Sequence, residues 1–456
     1  MFNKTPCAVA IGTALMVIFS ADVMAADSAE LQKIHNEIQQ LKENYEARIQ
    51  SLETRLKDAE AFAAKADDKA SQVASAPVSG PPSGANSFNP AISLVLSGTY
   101  SNLSQDPANY RITGYVPSGD IGPGKRGFSL AESELGVYAN IDPDFYGGLN
   151  FAMHPDNTAS VEEAFVQTIG LKRGLTFKAG RYFSGIGYLN EQHAHVWDFV
   201  DNPLAYQAFL GTQLGEDGLQ VKWLAPTDTY LELGAEIGRG RSFPGSDRDK
   251  NGAGASTIFA HAGGDVGINQ SWRAGLSFLQ TSPQNRQYSV IDAAGDTVKN
   301  AFTGNSGLWI ADFVWKYAPN GDPAFSNFKL QGEYLRRRED GNLAYKVDTS
   351  PVISSYASAQ SGWYVQGVYQ FVPHWRVGLR TERLSSGGVD YGVNNANLLR
   401  PDYIPTKNSV MVDYSPSEFS RLRLQLAQDK SRQGAADNQV FLQYIMSLGA
   451  HGAHIY

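Results

Sequence analysis

The sequence predicts an all-β fold, a transmembrane antiparallel β-barrel of about sixteen strands, preceded by an N-terminal α-helical coiled coil. Three observations in the 456 residues predict it. The chain begins with an export signal. Its later segments alternate apolar and polar residues, and the connections between those segments alternate between long and short.

Residues 1–25 are predicted to be a secretory signal peptide. Lys4 supplies the positive charge, an apolar run extends from about Cys7 to Phe19, and small residues precede Ala26. Because the apolar run is too short to span a membrane, we expect export and cleavage after Ala25. Cleavage removes Cys7, the only cysteine, so disulfide and thiol chemistry are not expected.

Residues 26–66 form a charged segment with a narrow apolar stripe. Its apolar residues recur at alternating steps of three and four, with one break, a stutter of two four-residue steps across Tyr45. They are Leu31, Ile34, Ile38, Leu41, Tyr45, Ile49, Leu52, Leu56 and Ala59. Such a stripe is typical of a coiled coil and predicts oligomerisation. Residues 67–88 are small, polar and interrupted by prolines, which predicts a flexible linker before a barrel at 89–456.

The region after Ala91 contains about sixteen segments of roughly ten residues with the two-residue period of a lipid-facing strand. Clear examples place apolar residues at Trp272, Ala274, Leu276 and Phe278, at Trp309, Ala311, Phe313 and Trp315, and at Leu422, Leu424 and Leu426. Soluble sandwiches alternate in the same way, so the period alone does not distinguish the two folds.

The connections distinguish them. Long connections, such as those of about 102–127, 184–217, 281–306 and 337–361, alternate with short turns such as IDPDF, LKRG, APTD and VPHW. This arrangement is typical of an outer-membrane barrel. Closure is also a physical requirement, since lipid offers no partner to an unpaired strand edge.

Other classes of protein are disfavoured by what the chain contains. Its net charge is −8 and it has no basic block, so we expect no nucleic-acid partner. Gly-x-Ser-x-Gly, His-Glu-x-x-His and phosphate-loop motifs are absent from the sequence, and we predict that the protein is not an enzyme.

Several motifs resemble a known family. The coiled coil and linker, GFSLAESELGVYANI, SVEEAFVQT and TFKAGRYFSGIG together resemble the phosphate-selective porin O and P superfamily. The resemblance implies a homotrimeric porin of sixteen strands in the outer-membrane lipid of a Gram-negative bacterium, with a third long loop that narrows the pore. The coiled coil would then lie in the periplasm, where it could contact peptidoglycan.

Longer segments are similar to a narrower group. GRYFSGIGYLNEQHAHVWDF, WLAPTDTYLELGAE, DYSPSEFSRLRLQ and FLQYIMSLGAHGAH look like uncharacterised proteobacterial outer-membrane proteins, some labelled zinc-regulated or TonB-dependent receptors. A TonB-dependent receptor has a plug domain and a barrel of about 22 strands. A coiled coil stands before the barrel here, so a porin is the better interpretation.

The loop of about 184–217 is the third long connection. Ser184, Gly185 and Gly187 let its backbone turn inward, and its charged residues are all acidic. The predicted constriction residues are Glu191, Asp198, Asp201, Glu216 and Asp217. Carboxylates at a constriction favour cations. In the alternative interpretation, the loop's aromatic residues fix it to the wall and its carboxylates pair with lumen arginines.

Successive side chains of a strand point to opposite faces, so charged residues that alternate with lipid-facing apolar residues are predicted to face the lumen. The inward residues include Lys178, Lys222, Arg273, Arg376, Arg380, Arg421, Arg423, Glu132 and Glu134. The four arginines from 376 to 423 would form a basic ladder opposite an acidic loop, producing a transverse field. The balance of signs argues against phosphate selectivity, which requires a dense basic ring. Alternatively, these charges pair with one another and keep the lumen wet.

His193 and His195 form a His-x-His pair near Glu191 and Asp198. Two imidazoles with carboxylates could bind zinc or copper, although a metal site needs three or four converging ligands. Otherwise no cofactor is expected.

The sequence thus predicts an outer-membrane porin for passive diffusion of small hydrophilic solutes or ions. The alternatives are a channel or receptor for a divalent metal such as zinc, and an envelope tether.

Overall fold

The structure, a computed structural model, describes residues 39, 42, 90–116, 119, 121–247, 249–400 and 402–449. The predicted signal peptide and linker lie outside these residues. So does the predicted coiled coil, apart from residues 39 and 42, which are helical. His451 and His454, a second histidine pair near the C-terminus, also lie outside. Within the described ranges, no helix has the length and apolarity to cross a membrane.

The described part of the chain contains eighteen β-strands. They are β1 (Ala91–Leu103), β2 (Gly127–Leu130), β3 (Ser133–Asn140), β4 (Phe145–Met153), β5 (Ala159–Thr168), β6 (Leu175–Phe183), β7 (Gly215–Leu224), β8 (Tyr230–Gly238), β9 (Ala255–Val266), β10 (Gln270–Thr281), β11 (Arg286–Ile291), β12 (Thr297–Tyr317), β13 (Asn327–Tyr345), β14 (Val352–Val372), β15 (Trp375–Asp390), β16 (Thr406–Ser417), β17 (Ser420–Lys430) and β18 (Asp437–Gly449).

These strands form a closed antiparallel barrel of sixteen wall positions. Neighbours in sequence pair in order, and β1 pairs with β18 to close the wall. β2 and β3 occupy one position, because both pair with β1. β10 and β11 likewise both pair with β12. The predicted strand number is therefore confirmed, and closure leaves no edge unpaired in a lipid environment.

The two faces of the wall differ as the alternation predicts. In β17, Leu422, Leu424 and Leu426 are exposed on the outer face, whereas Arg423 and Gln425 are buried on the inner face. The same period holds in β12 and β14. The barrel buries polar residues inside and exposes apolar residues outside. This is the reverse of the arrangement in a soluble protein, and it matches a barrel surrounded by lipid.

Two predicted loops are largely strand. β12, β13 and β14 contain 21, 19 and 21 residues, so most of 281–306 and 337–361 continues the wall. The prediction was wrong because it located strand ends where the apolar alternation stops. Beyond the lipid, water contacts both faces, and a strand can continue without an apolar face.

The long connections leave one end of the barrel and the tight turns the other. A short α-helix, α1 (Leu204–Leu210), lies in the connection between β6 and β7, and 3₁₀ helices span Pro107–Asn109, Ala194–Val196 and Gly392–Ala396. The connection between β6 and β7, residues 184–214, is called the lumen loop below. It ends three residues before the predicted boundary, because β7 begins at Gly215.

The lumen loop and the first long connection fill part of the interior with an apolar core. Ile186, Leu204 and Phe209 of the lumen loop pack with Ile112 and Tyr115 of the first connection. Inward side chains of the wall complete this core at Leu279, Leu308, Ile310, Leu335, Tyr364 and Leu384. A barrel of this size is too wide for wall side chains alone to fill, so the loops supply the missing volume.

Candidate functional site

The lumen loop turns inward at its first residues. The Gly185 N–H donates to Glu236 Oε1 at 2.9 Å, and the Tyr188 and Leu189 N–H groups donate to Glu333 at 3.3 and 3.1 Å. Gly187 adopts a left-handed φ of 64°. These buried wall carboxylates satisfy backbone donors that would otherwise lack partners inside the barrel.

Gly187 is a position that only glycine fits. A Cβ there would lie 2.4 Å from Glu333 Oε2 and 2.9 Å from Tyr206 Oη, and its φ is unfavourable for other residues. We expect Gly187→Ala to destabilise loop docking by about 1–3 kcal/mol, measured as faster protease cleavage of the loop in folded barrels. Gly388→Ala is the control, since nothing lies within 4 Å of a Cβ there. Equal cleavage of the two variants would contradict this prediction.

Helix α1 fixes the middle of the lumen loop. All seven of its residues are buried, and the Leu204 N–H at its start donates to Glu382 Oε2 at 2.5 Å. Phe209 meets Tyr115 edge to face, with ring centroids 5.6 Å apart, and the Arg337 guanidinium lies 5.3 Å from its ring. A helix of seven residues is too short to be stable alone, so these contacts on both of its sides stabilise it.

Asp198 and Asp201 join the lumen loop to the basic wall. Asp198 pairs with Lys329 and, at 3.1 Å, with Arg376. Asp201 pairs with Arg380 at 2.8 Å and with Lys407 at 2.5 Å. Burial alone would raise the pKa of both carboxyls, but these cations hold each pKa below its usual range. Their contribution to docking is therefore complete above the ordinary carboxyl pKa and is lost only in stronger acid.

Glu191 is also paired. It accepts from Lys222 Nζ at 2.7 Å. Burial would raise the pKa of Glu191, but Lys222 and Lys178 lower it to about 2. The carboxylates of Glu191, Asp198 and Asp201 thus have the wall partners that the alternative interpretation of the sequence expected.

Glu216 and Asp217 belong to β7 and not to the loop, so the structure corrects their predicted position. Glu216 is buried and accepts the Gly240 N–H at 2.8 Å. Asp217 lies on the outer face, as does the exposed Leu219 two residues later, and pairs with Arg181 at 2.6 Å. An outward side chain does not line a lumen.

The predicted basic ladder faces inward and contacts the lumen loop. Arg421 donates to the Trp197 carbonyl at 3.3 Å and Arg423 at 2.8 Å, and Arg376 pairs with Asp413 at 2.5 Å. Arg380 completes the ladder through Asp201. Lys407, the second residue of β16, is a further lumen cation that the sequence analysis did not predict.

The remaining predicted lumen residues lie on other parts of the wall. Lys178 lies 4.6 Å from the centre of the Phe165 ring, and Arg273 contacts Asp312 at 3.5 Å. Glu132 lies 3.5 Å from His154. Glu132 also interacts electrostatically with Glu162 of β5, and Lys178 with Glu163 of β5.

A cluster of carboxylates and imidazoles forms where the lumen loop meets β3 and β5. His193 Nδ1 lies 3.1 Å from Glu134 Oε2 and 3.3 Å from Glu162 Oε2, and its Nε2 lies 3.1 Å from Glu163 Oε2. His195 Nδ1 lies 2.8 Å from Glu134 Oε1. We call these five residues the acidic–histidine cluster. Glu191 and Asp198, which the sequence placed near the histidines, pair elsewhere.

Burial and charge act in opposite directions on His193. Burial would lower its pKa, but hydrogen bonds with Glu134, Glu162 and Glu163 raise the pKa well above its usual value. The cluster therefore attracts positive charge strongly.

A β-bulge places two consecutive glutamates on the inner face. The register between β4 and β5 shifts between Asn150 and Phe151, so that Asn150 faces Glu163 and Phe151 faces Val161. Glu162 is the additional residue. Strict alternation would direct one of the two glutamates outward, which is why the sequence alone did not identify this cluster. The paired glutamates in SVEEAFVQT were the available signal.

Comparisons with known proteins give a sequence relative and a shared fold. No family model matches the chain. An uncharacterized protein of Aquifex aeolicus is 32% identical over 397 residues, covering 80% of each chain. Among solved structures, an anion-selective porin from Comamonas acidovorans is similar with a TM-score of 0.50, at 10% identity, covering 79% of this chain and 99% of that one. OmpT of Vibrio cholerae, with its loop L8 deleted, gives a TM-score of 0.48 at 12% identity, covering 79% and 99%.

Proposed function

The chain belongs to the same family as the uncharacterized Aquifex aeolicus protein and shares the fold of a porin, and from this premise we propose that it is an outer-membrane channel. It allows passive diffusion of small hydrophilic solutes or ions. The lumen loop constricts its pore. The observation that carries this proposal is that residues 184–214, most of which are buried, lie inside a closed barrel with an apolar outer face.

The charges of the interior support a channel for polar solutes. The acidic–histidine cluster lies at β3 and β5, and the arginine ladder lies on β15 and β17. Opposite charges on different parts of a lumen produce a transverse field that orients polar solutes. Because the three carboxylates of the lumen loop, Glu191, Asp198 and Asp201, pair with wall cations, we expect weak ion selectivity.

The other parts of the proposal come from the sequence. Residues 1–25 direct export, 26–66 form a trimeric periplasmic coiled coil that contacts peptidoglycan, and 67–88 link it to the barrel. This organisation makes the protein a homotrimer surrounded by outer-membrane lipid.

The test is conductance in a planar lipid bilayer. Purified protein in KCl is expected to give discrete current steps in groups of three, with a reversal potential near zero under a salt gradient. Replacing residues 190–213 by a short Gly-Ser linker should enlarge each step, since it removes the constriction. A silent bilayer would contradict the channel and favour the envelope tether, and unchanged steps after loop replacement would contradict the constriction.

A channel or receptor for a divalent metal is the second candidate function. The placement of His193 and His195 among glutamates favours it. In this case micromolar ZnCl₂ added to the bilayer should block the current, and His193→Ala should abolish the block. Currents that zinc does not change would exclude this candidate, and general diffusion would remain the proposed function.

A further inference from the structure

Four polar side-chain atoms lie close together at the centre of the acidic–histidine cluster. His193 Nδ1 lies 3.1 Å from Glu134 Oε2 and 3.3 Å from Glu162 Oε2. The Asn150 amide nitrogen lies 2.9 Å from Glu134 Oε2, 3.3 Å from Glu162 Oε2 and 3.1 Å from His193 Nδ1. Glu134, Glu162 and His193 can each offer one ligand atom such that the three atoms lie within 4.8 Å of one another.

This geometry has the dimensions of a metal site. Zinc bonds to nitrogen and oxygen are about 2.0–2.2 Å long, which places neighbouring ligands of a tetrahedral ion about 3.3–3.6 Å apart. The five observed distances, 2.9 to 3.3 Å, are equal to or slightly shorter than these values, so a small outward movement of the four atoms would accommodate an ion.

The four atoms do not carry enough protons to satisfy one another. The Asn150 amide nitrogen has two protons and His193 Nδ1 has at most one, whereas five close contacts join the four atoms. If a proton on Nδ1 is shared between both carboxylate oxygens, the contact between the Asn150 amide nitrogen and Nδ1 still has no proton between its atoms. A cation at the centre would replace this contact with favourable ones.

Asn150 supplies a second, independent indication. It is 2% exposed, and its Oδ1 is buried without a hydrogen-bond partner among the described residues. Rotating the amide by half a turn exchanges its oxygen and nitrogen, which is a choice that hydrogen-bond partners normally decide. Without a cation the amide nitrogen donates to Glu134 and Glu162, whereas a bound cation would favour the rotated amide, whose oxygen would be a fourth ligand.

The surroundings have the second layer of contacts that metal sites require. The far nitrogen of the His193 ring, Nε2, lies 3.1 Å from Glu163 Oε2. The second oxygen of Glu134 contacts His195 Nδ1 at 2.8 Å. Carboxylates that hold the far nitrogen of a ligating histidine fix its orientation and raise its basicity. His193 also packs edge to face on Phe183, with ring centroids 5.3 Å apart.

We propose that this centre is a binding site for one divalent first-row transition-metal ion. Its ligands are Glu134 Oε2, Asn150 Oδ1, Glu162 Oε2 and His193 Nδ1. One imidazole with three oxygen ligands suits Zn²⁺ or Fe²⁺ and disfavours Cu⁺, which prefers sulfur. Three ligands come from adjacent wall strands and one from the lumen loop, so the ion fastens the loop to the wall. The proposed metal site follows from the arrangement of these side chains in the fold and does not require that the protein transports solutes.

Metal uptake by the full-length protein in detergent tests the site directly. We expect titration with ZnCl₂ to give one tightly bound ion per chain, and CoCl₂ to give the visible absorption of four-coordinate cobalt. His193→Ala should abolish tight binding, and Glu163→Gln should weaken it about 10–100-fold through the outer contact. His374→Asn, in an exposed turn, should bind like the wild type.

Glu162→Gln is a second test of the site in case His193→Ala does not fold, because it removes the charge of a ligand with little change in side-chain shape. Heat-modifiable migration on gels would verify that each variant folds. Absence of zinc uptake by the wild type, or uptake by both His193→Ala and Glu162→Gln equal to that of the wild type, would overturn the proposal.

Hydrogen exchange tests the fastening of the loop. Zinc should slow exchange of the backbone amides of residues 190–198, and unchanged exchange in a zinc-loaded barrel would overturn that part. The bilayer experiment is independent of both results. A conducting channel without zinc uptake refutes only the metal site, and a silent barrel with zinc uptake refutes only diffusion.

Discussion

Asp201→Ala is expected to release the lumen loop from the basic wall. The substitution leaves Arg380 and Lys407 buried without the carboxylate that lies 2.8 and 2.5 Å away, and Gln425 loses its partner at 2.9 Å. Breaking a buried ion pair by removing one partner costs about 3–5 kcal/mol. A loss of that size shifts the docking equilibrium roughly 10²–10⁴-fold. We expect larger, noisier single-channel currents and rapid protease cleavage of the loop in folded barrels.

Asp228→Ala is the matched control, since Asp228 is exposed in the turn between β7 and β8. It should leave current and cleavage unchanged. If Asp201→Ala gave the currents and the protease resistance of the wild type, its ion pairs would not hold the loop. The residual carboxylates Glu382 and Asp429, which also contact Arg380 and Lys407, should keep the barrel itself folded.

Phe209→Ala is expected to loosen helix α1 inside the lumen. The Phe209 ring is fully buried and contacts Tyr115 and Arg337. Truncating a buried phenylalanine costs about 3–5 kcal/mol, because a cavity replaces its contacts. The first long connection also packs on this ring, so both loops should become more mobile. Hydrogen exchange of residues 204–210 should accelerate, and the current should fluctuate between levels.

Phe325→Ala provides the comparison, as Phe325 is 52% exposed in the turn between β12 and β13. It removes the same number of atoms without opening a cavity in the lumen. Slow exchange of α1 in Phe209→Ala, equal to that of Phe325→Ala, would show that the helix is fixed by its polar contacts alone.

The barrel could be predicted from sequence because lipid imposes a simple rule on every strand. A lipid-facing position must be apolar and its neighbours face the interior, so β17 reveals both faces through Leu422 and Arg423. The prediction lost accuracy where that rule ceases to apply. β12 to β14 continue past the lipid, and Lys407 lies at a strand end that apolar residues do not mark.

The interior of the barrel was predicted less well because it depends on pairing between distant parts of the chain. Sequence reasoning found the loop, its acids and the histidine pair, but not which wall residue meets each of them. The bulge that turns both Glu162 and Glu163 inward is a register shift of one residue. Its position depends on how β4 pairs with β5, which composition and period do not specify.

The lumen loop is attached to the wall at well-separated strands. His193 contacts glutamates of β3 and β5, and Asp201 contacts cations of β15 and β16. A segment fixed at both ends acts as a cross-brace, which resists flattening of the cylinder as well as narrowing it. Lateral pressure from the membrane or from neighbouring proteins would therefore load these ion pairs directly, and a barrel without its loop should be mechanically softer.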